Sequence, residues 1–278
     1  MTTQLSLFSK DEVHSMQTAS VFKDADEMYR RAPSLFATTA HPKMSDRYSF
    51  TNTYDILLHM HNKGFRVTSV QSTGKGRFGK VLVRMRHPAY DRRDDVPEIV
   101  VLDSHDGTSR LKMFLGIVRL ICMNGCIAGE ALYSRAYKHV APDLMQQIML
   151  ELEDVQQHIQ KLDQRVSRMK QYITNIGERM LLADAAIYSR FGDDRSASYV
   201  AAMRGKLLAT RRVDDEADDM YTVMNVIQEN VLRGGMHVVS NNSVRRVNSI
   251  SAVGKTLTIN QALWQTAEQV LAGSGKGY

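Results

Sequence analysis

The stretch Lys80-Val81-Leu82-Val83-Arg84-Met85-Arg86 largely alternates apolar and basic side chains, which is the pattern of a β-strand with one buried face. The same alternation runs through Phe65-Arg66-Val67-Thr68-Ser69-Val70-Gln71, so a hairpin is the simplest connection between the two segments. Downstream, Glu98-Ile99-Val100-Val101-Leu102-Asp103 is apolar between its two acids, as expected of a strand covered on both faces. The three segments predict a three-stranded, antiparallel-type sheet.

Helices are expected on both sides of these strands in the chain. Residues 53–63 place apolar side chains on one helical face and stop before Gly64, which suits a helix C-terminus. Residues 111–122 are long and apolar and follow a polar turn, so they predict a helix that packs on the sheet and ends at Asn124-Gly125. The expected fold class is α+β, with the order helix, strand, strand, strand, helix and a long helical extension.

Composition limits the class of protein. With 278 residues and 43% hydrophobic content, the chain can bury a full core. Arg plus Lys exceed Asp plus Glu by 36 − 30 = 6, which favours a polyanionic partner, although a basic soluble protein without one fits the same balance. Only Cys122 and Cys126 are present, so a disulfide framework and a four-cysteine zinc site are excluded. No segment suggests export or membrane insertion, and a cytoplasmic protein is expected.

The first hairpin is the candidate contact surface for a phosphate backbone. From Lys63 to Arg86 there are seven basic residues and no acidic one. Alternation would place Lys80, Arg84 and Arg86 on one side of their strand, and Phe78 would stack on exposed bases. The alternative is a solvated hairpin with Phe78 in the core. The predicted DNA contacts here are Lys63, Arg66, Lys75, Arg77, Phe78, Lys80, Arg84 and Arg86.

Residues 74–80 also match the Gly-x-x-x-x-Gly-Lys pattern of a phosphate loop. The next residue is Val81, where such a loop needs Ser or Thr to hold magnesium, and the segment leads into a predicted strand rather than a helix. We therefore interpret it as a basic hairpin tip.

The most enzyme-like cluster is Asp103-Ser104-His105-Asp106-Gly107-Thr108-Ser109. Our main interpretation is a turn at Asp106-Gly107 and a helix cap at Thr108 or Ser109, whose free amides could hold a phosphate. The candidate phosphate-binding residues are Thr108, Ser109 and His105. A metal or general-base role for Asp103, His105 and Asp106 is the less favoured alternative, because no second motif completes such a site.

A heptad pattern of apolar residues predicts one long helix in the middle of the chain. It packs lengthwise either on helices of the same chain, such as residues 214–232 and 261–271, or on another subunit as a coiled coil; the antiparallel bundle is favoured. The members of this seam are Ile148, Leu152, Val155, Ile159, Leu162, Val166, Met169, Ile173, Ile176 and Met180.

Acidic residues are concentrated at 193–194, 214–216 and 218–219. They could bind magnesium in a nuclease or face the basic hairpin of a neighbouring subunit, but a solvated helix start is the favoured interpretation. After residue 233 comes a polar basic loop, in which Arg245 and Arg246 are further predicted DNA contacts. Val238-Val239 and residues 256–259 are expected as short strands, and Asn260 as the cap of the last helix.

Four segments are expected. Residues 1–40 form an N-terminal arm, 41–140 the α+β core with the basic hairpin, 141–232 the long helical region, and 233–278 the basic loop and C-terminal helix.

One set of motifs from residue 47 onwards is specific. It comprises Arg47-Tyr48, Pro97-Glu98-Ile99-Val100, Ser104-His105-Asp106-Gly107-Thr108, Arg119-Leu120-Ile121-Cys122-Met123-Asn124-Gly125, Arg190-Phe191-Gly192, Gln228-Glu229-Asn230, Gly234-Gly235 and Asn260-Gln261-Ala262-Leu263-Trp264. The combination resembles the YfjQ/YafZ-type family of prophage- and plasmid-encoded proteins. The resemblance implies no defined activity but a context, that of mobile elements, whose accessory proteins commonly act on DNA. The helical middle of this chain is longer than in the family pattern.

The expected order of helix and strands is also similar, at the level of topology alone, to the core of single-strand annealing proteins of the RecT and Red-beta kind. We therefore expect a non-enzymatic DNA-binding protein of a phage or plasmid, without a cofactor, which binds single-stranded DNA and promotes annealing and recombination as a homo-oligomer. The alternatives are a protein-binding module that inhibits a host defence or restriction system, and a metal-dependent nuclease.

Overall fold

The fold is α+β. The computed structural model describes residues 25–72, 76–91, 95–119, 124–127, 134–137, 144–240, 243–250 and 252–274. These residues divide into two compact units. The first contains the described residues up to 113 together with 135–156, and the second contains 114–134 and the described residues from 157 onwards.

The first unit begins with helix α1 (Ala25–Arg31) and a 3₁₀ turn (Pro33–Phe36), followed by helix α2 (Thr53–Asn62). Asn52 starts α2 because its side-chain oxygen accepts a hydrogen bond from the amide of Tyr54 at 2.9 Å. Gly64 follows the helix at φ +93°, a backbone conformation that favours glycine. Helix α2 and its end at Gly64 were predicted from the sequence and are confirmed.

The three predicted strands are also confirmed, as β1 (Arg66–Ser72), β2 (Val81–Arg86) and β3 (Asp95–Asp103). They are neighbours in that order and antiparallel, with Arg86 opposite Arg66 on one side and opposite Glu98 on the other. The pairing of β1 with β2 shifts between Val67 and Ser69, where β1 has a bulge. Residues 76–80 lead into strand β2, as expected for a hairpin tip rather than a phosphate loop.

The predicted helix at residues 111–122 is wrong. Leu111–Arg119 is strand β4, the next neighbour of β3, so the sheet has more than the three strands expected. A short apolar run buried on both faces looks alike as strand or helix, and here the turn at Gly107 (φ +75°) makes the connection to β3 a hairpin. Asn124-Gly125 likewise does not end a helix but begins strand β5 (Asn124–Ile127), which pairs with residues 116–119 of β4. A short strand β6 (Ser134–Tyr137) follows.

The predicted long helix is divided into three, namely α3 (Leu144–Glu153), α4 (Val155–Gln171) and α5 (Ile176–Phe191). The heptad seam is buried within this one chain as far as Met169, whereas Ile173 and Ile176 are 68% and 63% exposed. A capping box causes the second interruption, because the Asn175 side chain accepts from the Glu178 amide and the Glu178 carboxylate accepts from the Asn175 amide. The prediction of one continuous helix is therefore wrong, whereas the buried part of the seam packs within the chain, as the favoured interpretation expected.

The second unit is a helical bundle around α7 (Met220–Arg233), whose residues 220–231 are all buried. Helices α5, α6 (Ala197–Leu208) and α8 (Val253–Gly273) pack against α7, and the core includes Trp264 from α8. Residues 256–259 and Asn260 lie inside α8, so the predicted short strand and cap at these positions are wrong. The other predicted short strand is confirmed, since Val238-Val239 belongs to β7 (His237–Ser240), which pairs with β8 (Ser243–Arg246).

No helix in the described part of the chain is long and apolar enough to cross a membrane.

Candidate nucleic-acid interface

Two arginines of the first hairpin share one buried carboxylate. On β2, the Arg84 guanidinium pairs with Oε1 of Glu98, and Nε of Arg86 lies 3.2 Å from Oε2 of the same residue. The Glu98 side chain is fully buried, and those of Arg84 and Arg86 are only 13% and 17% exposed. The register explains the cluster, because Glu98 stands directly opposite Arg86 and diagonally across from Arg84.

The face of β2 that was expected to be open and basic is mostly closed. Leu82 lies on the same side of β2 as Arg84 and is 2% exposed, and Val100, which is opposite Arg84, is 0% exposed. Both faces of this strand are therefore covered. The Arg84–Glu98–Arg86 cluster keeps one net positive charge, but it presents little of it to a ligand.

The remaining predicted contacts of the first unit differ in their surroundings. Lys63 pairs with Glu153 at 2.6 Å, in an exposed ion pair. Arg66 is exposed on β1, and no ion pair is found for it or for the half-buried Arg77 within the described ranges. Lys80 is half-buried at the start of β2. Lys75 lies outside the described residues.

Phe78 is half-buried rather than a free stacking platform. Its ring makes an edge contact with His41, with 5.0 Å between the ring centroids. Its carbonyl oxygen accepts a hydrogen bond from the amide of His105 at 3.0 Å, and the His105 carbonyl accepts from the amide of His41 at 2.9 Å. Backbone hydrogen bonds thus hold the first hairpin tip, the β3–β4 loop and the segment before α2 together.

Side chains at the end of β3 and in the β3–β4 loop belong to a buried cluster of hydrogen-bonded polar groups. The Thr53 hydroxyl donates to Oδ2 of Asp103 at 2.8 Å and lies 3.1 Å from Nε2 of His105. A hydroxyl has one proton, so its use toward Asp103 makes Nε2 of His105 the donor in the second contact. All three residues are fully buried. This arrangement ties the first turn of α2 to the end of β3.

Thr108 and Ser109 were expected to cap a helix, and they belong instead to a hairpin loop. Asp106 accepts hydrogen bonds from the Thr108 amide at 3.0 Å and hydroxyl at 2.6 Å, and Ser104 Oγ accepts from the Ser109 amide at 2.8 Å. Partial burial raises the pKa of Asp106, but the hydrogen bonds from Thr108 and Ser104 outweigh it and the pKa is lowered. The Ser109 amide is already used within the loop, which removes the free helix amides on which the phosphate-binding hypothesis depended.

Tyr48 stands above this loop and donates from its hydroxyl to the Ser104 carbonyl at 3.3 Å. Burial, and then the nearby carboxylates of Asp103 and Asp106, raise the pKa of the Tyr48 phenol well above its usual range. Tyr48 therefore stays a neutral donor, in a structural contact.

The second candidate surface is the β7–β8 hairpin in the other unit. Arg245 and Arg246 are both exposed on β8, and none of the described residues forms an ion pair with either of them. They lie in a paired two-stranded ribbon, whereas the sequence indicated a flexible loop. These two and Arg66 are the predicted contacts that the structure leaves both exposed and unneutralised among the described residues.

The acidic residues at 214–219 serve the fold of the second unit. Asp219 caps α7 by accepting from the Thr222 amide at 2.9 Å, and Asp218 pairs with Arg179 at 2.6 Å. Asp215 is buried and pairs with Arg212 at 2.9 Å. Among the described residues, no group of three or more His, Cys, Asp or Glu side chains is placed to hold a metal ion.

Several motifs of the family pattern meet in the polar interior of the second unit. The Glu229 carboxylate accepts hydrogen bonds from both terminal nitrogens of the Arg212 guanidinium, at 2.7 and 2.8 Å, and forms an ion pair with Arg233 at 2.8 Å. Asn230 donates to the carbonyls of residues 207 and 209, at 2.9 and 2.8 Å, and so satisfies the end of α6. Gln228 donates to Asn260 within the core. These polar residues hold helices together. The apolar periodicity of α7 in the sequence did not indicate this role.

Burial by itself would raise the pKa of Glu229. The hydrogen bonds from Arg212, together with the charges of Arg233, Arg212 and Arg211, outweigh the effect of burial, so the pKa of Glu229 is lowered. Glu229 is thus a charged anchor inside the bundle.

Comparison with known proteins identifies relatives without a defined activity. Residues 40–264 match the family model described as "Domain of unknown function (DUF932)". The chain is 29% identical to UPF0380 protein YafZ of Escherichia coli (strain K12) and 28% identical to UPF0380 protein YfjQ of the same organism. Each match extends over 252 residues, 88% of this chain and 90% of the relative. No solved structure matches.

The YfjQ/YafZ resemblance is thereby confirmed, whereas the similarity to RecT and Red-beta is not shown, and the helix-strand-strand-strand-helix order on which it rested changes with β4. Because the family model covers most of the chain, this protein belongs to the DUF932 family.

Proposed function

We propose that this protein binds nucleic acid through exposed arginines on its two hairpins, that single-stranded DNA is its ligand, and that it promotes strand annealing as an oligomer. The observation that carries the proposal is the exposure of Arg66, Arg245 and Arg246 without an acidic partner among the described residues. Unpaired guanidinium groups attract phosphates, and each phosphate that they neutralise releases a counterion.

The charge distribution in the sequence supports the same ligand. The segment 63–86 contains seven basic residues and no acid, and the segment 234–267 contains three basic residues and no acid. Elsewhere in the structure, arginines such as Arg179, Arg204 and Arg212 are paired with carboxylates. Both hairpins thus lie in segments whose basic residues have no acidic residue nearby in the sequence.

The test is binding of a labelled single-stranded oligonucleotide by the full chain at several salt concentrations. Changing Arg66 and Arg245 to Glu should reduce the affinity at least tenfold, because each exchange replaces a phosphate contact by a repulsion. Arg84 is not used for this test, because a second acid next to the buried Glu98 would damage the fold.

The matched control is the double variant Lys161→Glu and Lys206→Glu. Both lysines are exposed on helices, so this variant changes the net charge by the same amount away from the hairpins. Equal loss of affinity in the two double variants, or no loss in either, would contradict the proposed interface. Electron microscopy of the protein with and without single-stranded DNA tests the annealing part, since rings or filaments are expected and compact monomers would exclude it.

A further inference from the structure

The β7–β8 hairpin is a ribbon with two different faces. In its antiparallel register, Val238 stands opposite Arg245, Val239 opposite Val244, and His237 opposite Arg246. Directly opposed residues point to the same side, and successive residues point to opposite sides. One face therefore carries Val238 and Arg245, and the other carries His237, Val239, Val244 and Arg246.

On the first of these faces Val238 packs on the protein while Arg245 is exposed, and the second face points outward. Val238 is 2% exposed, whereas Val239 and Val244 are 64% and 67% exposed. His237 and Arg246 are also exposed. The outward face thus has an apolar pair near the hairpin tip and a basic pair behind it, which we name the outward ribbon face.

The base of the ribbon is held firmly. The Gly235 amide donates to the Val247 carbonyl at 2.7 Å, and the Val247 amide donates to the Met236 carbonyl at 2.8 Å, which continues the pairing beyond β7 and β8. Arg190 of α5 donates to the carbonyls of Val231 and Asn248 on either side of this base. A ribbon anchored in this way presents its exposed face at a fixed position.

We propose that the outward ribbon face enters the major groove of double-stranded DNA, with Val239 and Val244 against base edges and Arg246 on a phosphate or a guanine edge. The inference rests on the proposed function and extends it, since it assigns a duplex contact to a protein proposed to bind and anneal single strands. The absence of acids from residues 234–267 selects a polyanion as the partner.

The shape and chemistry of the face favour a duplex groove. The major groove of B-DNA is about 12 Å wide and admits a two-stranded ribbon, whereas the minor groove is about 6 Å wide. Thymine methyl groups line only the major groove and are the apolar partners that valine side chains fit. Binding of single strands usually relies on aromatic stacking platforms, and the outward ribbon face carries valines instead.

The experiment compares three labelled ligands with the full chain: a mixed-sequence duplex, the same duplex with every thymine replaced by uracil, and one of its strands alone. The wild-type protein should bind the thymine duplex about fivefold more tightly than the uracil duplex, because the uracil duplex lacks the methyl groups. The double variant Val239→Ser and Val244→Ser removes all the exposed methyl groups of these two side chains and should lose this preference. Methyl green, which occupies the major groove, should compete with the protein, and netropsin, which occupies the minor groove, should not.

Arg246→Gln should weaken duplex binding about tenfold, with Lys206→Gln as the control for loss of one exposed positive charge. Equal affinity for the thymine and uracil duplexes, or competition by netropsin alone, would overturn the groove assignment. If the protein binds single strands but duplexes only weakly, and the Val239 and Val244 double variant behaves like the wild type, the inference fails while the proposed function stands. If the protein binds no nucleic acid, both fail.

Discussion

At the scale of single residues, the decisive contact is the carboxylate of Glu98 between Arg84 and Arg86. The two arginines were predicted as DNA contacts from the alternation of β2, and their basic character is evident in the sequence. Their shared partner, Glu98, could not be predicted from the sequence. Eight residues separate β2 from β3, and a connection of this length does not fix the register between the two strands. A shift of one residue would have turned Glu98 to the opposite face and left both arginines unpaired.

Glu98→Gln should therefore destabilise the protein by about 3 kcal/mol or more, because it leaves two poorly exposed guanidinium groups without a countercharge. Urea unfolding followed by circular dichroism measures the change. Glu153→Gln is the matched control, since Glu153 is 60% exposed in its ion pair with Lys63, and that substitution should have little effect. Equal stability of the two variants would show that the buried cluster does not support the sheet.

Glu229 makes stability depend on pH in a defined direction. Its pKa in the folded protein is lowered, so it binds a proton more weakly in the folded than in the unfolded state. Its contribution is present above the unfolded pKa of about 4.3 and is lost as the pH falls through the lower folded pKa. The urea midpoint of the wild type should fall over this acidic range, and Glu229→Gln should flatten the dependence. An unchanged pH profile in the variant would assign the acid sensitivity to other carboxylates.

At the scale of elements, sequence patterns predicted α2, the first three strands and β7, because each shows a clear period or turn signal. β4 was mistaken for a helix because it is apolar throughout, which removes the period that distinguishes the two structures. The sequence does contain the signal that divides the predicted long helix. Asn175 and Glu178 have the spacing of a capping box, and the heptad continuing through Ile176 and Met180 obscured it.

The connection from α7 to the β7–β8 hairpin depends on Gly234. Its φ is +63°, and a Cβ atom there would lie 2.5 Å from the carbonyl oxygens of Val247 and Asn248. Gly234→Ala should therefore destabilise the protein by at least about 2 kcal/mol, through both backbone strain and a clash with main-chain atoms.

Gly205 provides the matched comparison for this substitution. It lies inside α6, and a Cβ atom there would meet nothing within 4 Å. Gly205→Ala should stabilise the protein by about 0.5–1 kcal/mol, because alanine loses less backbone entropy in a helix. Thermal unfolding measures both variants, and a neutral Gly234→Ala would mean that the hairpin base can shift without cost.

At the scale of the whole molecule, the location of the unpaired basic residues is more informative than the net charge of +6. Composition predicted a polyanionic partner, but the choice between open and neutralised arginines needed the structure. Three of the predicted contacts, Lys63, Arg84 and Arg86, pair with carboxylates, and Phe78 packs against His41. The remaining contacts on the two hairpins stay predictions that DNA binding has to test.

The salt dependence of the DNA-binding constant measures how many phosphates these contacts neutralise. For single-stranded DNA, the logarithm of the binding constant should fall with the logarithm of salt concentration by about 0.7 for each neutralised phosphate. Arg66→Gln should reduce the slope by about that amount, whereas Arg84→Gln should leave it nearly unchanged because Arg84 is committed to Glu98. Titrations between low and physiological salt measure both slopes, and an equal reduction in the two variants would contradict the distinction between exposed and buried arginines.

The chain passes between its two compact units three times, after residues 113, 134 and 156, and the first passage lies within strand β4. Neither unit is therefore one continuous segment of the polypeptide. A cut after residue 113 divides the first unit, a cut after residue 156 divides the second, and a cut after residue 134 divides both, so no pair of fragments designed from the sequence order contains both units whole. Separating the units requires a circular permutation or an engineered linker in place of the crossing segments, and during synthesis neither unit can be completed until the ribosome has passed residue 156.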